Sequence, residues 1–126
     1  MRSIYDTGGL ISLERGDRSS WVRLKAALNR REVPLTNAAV LGQAWRGGTR
    51  QARLARVMAG MEVVALDEKL GKRAGALLGI SATSDVVDAA LVLCAADGDE
   101  IVTSDAADLA PLAQALGLHI ELVSLS

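Results

Sequence analysis

Apolar and polar positions along this chain follow two periods, and the switches between them mark the elements. Short apolar runs at Ser3–Tyr5, Val33–Leu35, Met61–Leu66, Ile101–Thr103 and Leu118–Val123 read as strands. The Met61–Leu66 run alternates too little for a half-exposed strand and predicts one buried on both faces. Between the strands, apolar residues recur every three or four positions and predict helices. The first spans Leu10 to Glu14, entered through a tight turn at Gly8 and Gly9 and stopped at Gly16. The second, capped by Asp17 or Ser19, turns Trp21, Leu24, Ala27 and Leu28 inward and Arg23, Lys25 and Arg30 outward. Thr36 or Asn37 caps a third, through Ala39, Val40, Ala44 and Trp45, and Gly47-Gly48 breaks it; Thr49 caps a fourth, Arg50 to Ala59, with Leu54, Val57 and Met58 inward.

In the second half, Asp67 caps a helix that buries Leu70, Ala74, Leu77 and Leu78, and Ser84 caps another from Asp85 to Ala96, closed at Gly98. A last helix follows Asp105, with Asp108 capping it and Pro111 in its first turn, where a missing N–H does no harm. The order β-α-α-β-α-α-β-α-α-β-α-β predicts an α/β fold with a parallel sheet and helices on both faces.

At 126 residues the chain has the length of one domain. With no Phe, one Tyr and two Trp, the core must come from Leu, Val, Ile and Ala. One cysteine, Cys94, and one histidine, His119, exclude a disulfide framework, a thiolate zinc site and a multi-histidine metal site, and argue against a Ser-His-Asp triad. The N-terminus lacks the apolar core of a signal peptide, and the longest apolar runs, such as Ala89–Ala96, are too short to span a bilayer. A soluble, cytoplasmic protein without membrane contact is expected.

The net charge of −1 conceals a division. Residues 1–60 carry eleven Arg or Lys against four acids, and residues 61–126 carry three against eleven. A basic surface beside an acidic centre suits a protein that attracts phosphates while holding metals; two oppositely charged solvated faces give the same count.

The acids have a pattern. Asp6 and Asp105 follow strands, Asp85 opens a helix, and parallel strands bring all three to one sheet edge, in the crevice where α/β proteins place their chemistry. Thr7 adds a hydroxyl beside Asp6, and Asp88, three residues after Asp85, shares its helix face. Each aspartate alone also reads as a helix cap or a solvated residue. Together they repel one another, and a raised pKa or a bound divalent cation relieves the repulsion. An all-oxygen ligand set selects Mg²⁺, with Mn²⁺ as substitute.

The segments Ile4-Tyr5-Asp6-Thr7-Gly8-Gly9-Leu10-Ile11, Thr83-Ser84-Asp85-Val86-Val87-Asp88-Ala89-Ala90 and Ile101-Val102-Thr103-Ser104-Asp105-Ala106-Ala107-Asp108-Leu109 resemble the PIN-domain ribonucleases, in particular the VapC-type toxins of bacterial toxin-antitoxin pairs. The resemblance covers essentially the whole chain in order. It implies a three-layer α/β/α fold with a five-stranded parallel sheet and Mg²⁺-dependent cleavage of RNA. Asp6, Asp85 and Asp105 match three of the family's acids, and Thr103 matches the hydroxyl residue that orients the last of them. The family's usual glutamate after the second strand is Gln43 here, which can offer a carbonyl oxygen but removes a charge, so metal binding should be weaker unless Asp88 compensates. The resemblance also implies a cognate antitoxin and a homodimer. Arg46, Arg50 and Arg53 are candidates for contact with RNA or a partner, or form a solvated face.

Two alternatives stand beside this reading. A weakened PIN-like domain would act by binding RNA or protein. A receiver-type phosphoacceptor domain also uses acids at strand ends, but needs adjacent early acids and a late lysine, and no lysine follows Arg73.

Overall fold

A computed structural model describes residues 1–125. Five short parallel strands, β1 (Ser3–Tyr5), β2 (Leu35–Asn37), β3 (Glu62–Val64), β4 (Glu100–Thr103) and β5 (Glu121–Ser124), form one sheet in the order β3-β2-β1-β4-β5. Seven α-helices connect them: α1 (Thr7–Glu14), α2 (Arg18–Asn29), α3 (Ala38–Ala44), α4 (Ala52–Met58), α5 (Glu68–Ser81), α6 (Val86–Val92) and α7 (Ala106–Leu116). A 3₁₀ turn, Thr49–Gln51, precedes α4. The element order is the one the periodicity predicts. The strand order also sets the chain apart from receiver domains, whose doubly wound sheet runs 2-1-3-4-5.

The helices divide by sequence as well as by space. Helix α1 packs against α2, α3 and α4, whereas α5, α6 and α7 pack on one another. The first sixty residues thus build one helical layer and the remainder builds the other, with all three bases of the second half, Lys69, Lys72 and Arg73, on α5. Between them the sheet centre is dry: Ile4, Tyr5, Ile101 and Val102 are fully buried. Parallel central strands need such apolar surfaces on both faces. No single helix is long and apolar enough to cross a membrane.

Several boundaries differ from expectation, each for a physical reason. Gly8 and Gly9 do not form a turn; they lie inside α1, where the lack of a side chain lets the helix approach β4. A Cβ at Gly8 would lie 2.0 Å from the Ser104 hydroxyl, and one at Gly9 would lie 2.7 Å from the Val102 carbonyl oxygen. Strand β2 starts at Leu35 because Pro34 has no N–H for the ladder; its carbonyl instead accepts from Glu62 N at 2.9 Å. Strand β3 is an edge strand with Glu62 and Val63 exposed rather than a strand buried on both faces. Leu28 and Trp45 lie exposed, since α2 and α3 each end against solvent.

Asp85, not Ser84, caps α6, which stops at Val92 well before Ala96. Gly98, with φ +88°, shapes the turn into β4 instead of closing that helix. Asp105 and not Asp108 occupies the N-cap position of α7, so Pro111 falls inside the helix, and the Ala107 carbonyl loses its usual donor. Strand β5 begins three residues later than Leu118. Arg23 does not simply face outward: its guanidinium reaches buried Glu100 at 3.0 Å.

Candidate active site at the carboxyl edge of the sheet

In the order β3-β2-β1-β4-β5 the chain winds one way from β1 to β3 and the other way from β4 to β5, so the crevice opens beyond β1 and β4. Those strands end next to Asp6 and Asp105. Asp6 is almost fully buried, and both its oxygens are engaged. Oδ1 accepts from Gly9 N at 2.8 Å, which caps α1, and Oδ2 accepts from the Thr103 hydroxyl. The same hydroxyl accepts from Asp105 N at 2.8 Å. Thr103 therefore ties the ends of the two central strands together and fixes Asp6 relative to the backbone of Asp105, whose carboxylate remains exposed.

Asp85 caps α6, accepting from Val87 N at 2.9 Å and Asp88 N at 3.0 Å. Asp88, half-buried one turn further on, joins Asp85 and Asp108 in lining a hollow of about 310 Å³ between the starts of α6 and α7. Burial pushes the Asp88 carboxyl up to about 6, and the neighbouring charges of Asp85, Asp6, Asp108 and Asp105 push in the same direction. Burial also raises Asp6 above the usual carboxylate range, against the lowering effect of Thr103 and Gly9. Five aspartates thus lie within electrostatic reach of one centre, and no basic side chain offsets them at Asp88.

Among the described residues, no three His, Cys, Asp or Glu side chains stand close enough together to hold a metal ion as placed. The donor set nevertheless fits a hard divalent cation in kind: it is all oxygen and anionic, and two of its members keep their protons more tightly than free carboxyls do. Gln43, exposed on the last turn of α3, accepts a hydrogen bond from the Thr7 hydroxyl, which places both on the rim beside Asp6.

The three candidate arginines differ from one another. Arg46 folds back on its own helix end, donating to Trp45 O at 2.7 Å and Gly42 O at 3.3 Å. Arg53 donates to Glu14 O at 2.9 Å across Gly16, so its guanidinium secures the end of α1. Arg50 is exposed in the 3₁₀ turn.

Asp108 also lines the hollow between the starts of α6 and α7, although its position predicts only a helix cap. Its spacing of three from Asp105 repeats that of Asp88 from Asp85, and this repeat was the available signal. The contact of Gly8 with Ser104 left no comparable trace in the pattern.

No protein-family model matches the chain, and no curated protein matches it. Among solved structures it is similar to a chain in the crystal structure of VapBC2 from Rickettsia felis bound to a DNA fragment from their promoter. The TM-score is 0.68 at 13% identity, over 97% of this chain and 98% of that one. At that identity the likeness concerns the fold, a five-stranded parallel sheet between two helical layers.

Proposed function

We propose that this chain is a PIN-like, Mg²⁺-dependent endoribonuclease and the toxin of a toxin-antitoxin pair. The observation that carries the reading is the group of Asp6, Asp85, Asp88, Asp105 and Asp108 at the carboxyl edge of β1 and β4, with two raised pKa values. The fold shared with a chain of VapBC2 supports it. Asp6, Asp85, Asp88 and Asp105 would hold the cation. Bound there, a divalent cation supplies a water of lowered pKa and offsets charge building on the scissile phosphate. Thr103 holds the Asp6 carboxylate in one orientation, and a carboxylate not occupied by the ion would accept the proton of the attacking water. Scarce aromatics leave little base stacking, so RNA would be held mainly through its phosphates.

An antitoxin partner belongs to the same reading. An acidic crevice accepts an arginine, whose planar fork pairs with carboxylates through two hydrogen bonds. One observation favours a second reading, a weakened domain that binds without cutting: Gln43 stands where the family glutamate is expected, and its carbonyl is already engaged by Thr7. Incubation of purified protein with single-stranded RNA in Mg²⁺ separates the two. Cleavage that stops in EDTA and in Asp6→Asn is expected; binding without cleavage, or cleavage unchanged in Asp6→Asn, contradicts the nuclease reading.

A further inference from the structure

One groove begins at the acidic edge and leads away from it across the cationic layer. Its first part, a cavity of about 630 Å³, starts at Gly8 and Ser104, the residues next to Thr7 and Asp105. One wall is the stripe Gly8, Ile11, Ser12 and Arg15 of α1, at helical spacing. At Asp17 and Leu125 it passes into a second cavity, of about 360 Å³, because both residues line both cavities. There the wall becomes the stripe Ser19, Val22, Arg23, Ala26 and Arg30 of α2, over a floor of Val102 and Val123.

Three arginines, Arg15, Arg23 and Arg30, and two acids, Asp17 and Glu100, line this path, and both acids are engaged within the protein. Asp17 is spent on its helix, accepting from Ser20 N at 3.0 Å and from the Ser19 and Ser20 hydroxyls at 2.8 and 2.9 Å. Glu100, almost fully buried, is spent on Ser3 Oγ at 2.6 Å and on Arg23 at 3.0 Å, which holds that guanidinium against the groove wall. Arg15 is exposed, and its side chain has no hydrogen-bond or ion-pair partner among the described residues. Arg30 is half-exposed and pairs with Glu32, which accepts from its Nε at 3.2 Å and its Nη2 at 3.3 Å. Serine hydroxyls lie between the arginines, and no aromatic ring faces the groove. Guanidinium groups and hydroxyls spaced along a cleft, without stacking platforms, suit a sugar-phosphate backbone followed by its charge.

We propose that Arg15, Arg23 and Arg30 are positioning residues that hold the phosphates of a single RNA strand along this groove and lead it to the acidic edge. The assignment rests on the nuclease reading for its direction. It differs from a track over Arg46, Arg50 and Arg53, none of which lines either cavity.

The test is binding of a fluorescent single-stranded RNA 12-mer in EDTA, followed by anisotropy across a salt series, for wild type, Arg15→Gln/Arg30→Gln and the control Lys69→Gln/Lys72→Gln. Arg23 is left in place, because removing it strands buried Glu100. Each phosphate contact on a single strand adds about 0.7 to the slope of log K against log salt, so the double arginine variant should lose about 1.4, with the control unchanged. An unchanged slope in Arg15→Gln/Arg30→Gln overturns the proposal, whether RNA then lies elsewhere or a protein segment fills the groove. Equal loss in the control also overturns it, since bulk charge is then responsible. Because the assay contains no metal, its outcome is independent of cleavage: a lost slope without catalysis refutes only the nuclease, and catalysis with an unchanged slope refutes only the groove.

Discussion

A carboxyl half-buried among four other carboxylates holds its proton to a higher pH than a free one, and Asp88 is that residue. Folding raises its pKa from 3.8 to about 6. For an acid the sign is then fixed: its favourable contribution is complete below the unfolded pKa and is lost as pH rises through the folded one. The metal-free protein should therefore melt at progressively lower temperature from pH 4 to pH 6.5 relative to Asp88→Asn, in which this loss is absent. Parallel melting curves for the two proteins across that range would show that Asp88 does not feel its neighbours. Steric demands at this scale are as specific. Gly8→Ala forces the new methyl into Ser104, and overpacking of this kind costs about 1–3 kcal/mol. Chemical denaturation should register the loss, and Ser104→Gly in the same chain should recover most of it; a second, additive destabilisation would contradict the contact.

The elements show which parts of the fold were legible and which were not. Strands β1 and β4 were readable as short runs buried on both faces, and the helices with clear apolar stripes, α2 and α5, because one face of each meets the core at a fixed period. That Asp6 and Asp105 share one edge followed from parallel strands alone. Three features depend on tertiary contact and leave little local signal. The glycines of α1 resemble a turn but serve a close approach to β4. The apolar Met61–Leu66 run resembles a central strand, yet β3 lies at the edge, with its side chains partly open to solvent. Pro111 resembles a helix start, yet α7 begins at Ala106 and takes it into the interior. Helix α5 ends on Ala82 in the left-handed region, φ 58°. That conformation costs a non-glycine residue about 1–2 kcal/mol, and glycine gives back about 0.5–1 in the unfolded chain. Ala82→Gly should raise stability by roughly 0.5–1 kcal/mol in urea unfolding; a lower midpoint would mean that the alanine methyl makes a contact worth more than the backbone relief.

At the scale of the molecule, the positive charge of the first half lies mainly on and beside α2 and α4, whereas the second half carries its bases Lys69, Lys72 and Arg73 on α5 and gathers Asp85, Asp88, Asp105 and Asp108 at the starts of α6 and α7, where the candidate site lies. This arrangement would let the cationic helices gather phosphates while the acidic sheet edge gathers a cation. It also gives an inhibitor a simple target. Co-expression with the product of the neighbouring upstream gene should yield a complex held by a partner arginine, and sedimentation of the isolated chain should show a homodimer; a monomer that is tolerated at high level without a partner would favour the binding-module reading. All of this depends on the aspartates drawing together around one ion, although no three of them stand at ligating distance in the structure. Calorimetric titration of Mg²⁺ into the metal-free protein at pH 7.5 tests that directly. The account predicts saturable binding that weakens at least about tenfold, or about 1.4 kcal/mol, in Asp6→Asn and in Asp105→Asn, weakens again below pH 6, and tightens in Gln43→Glu. Affinity that is unchanged when Asp6 and Asp105 lose their charge would contradict it.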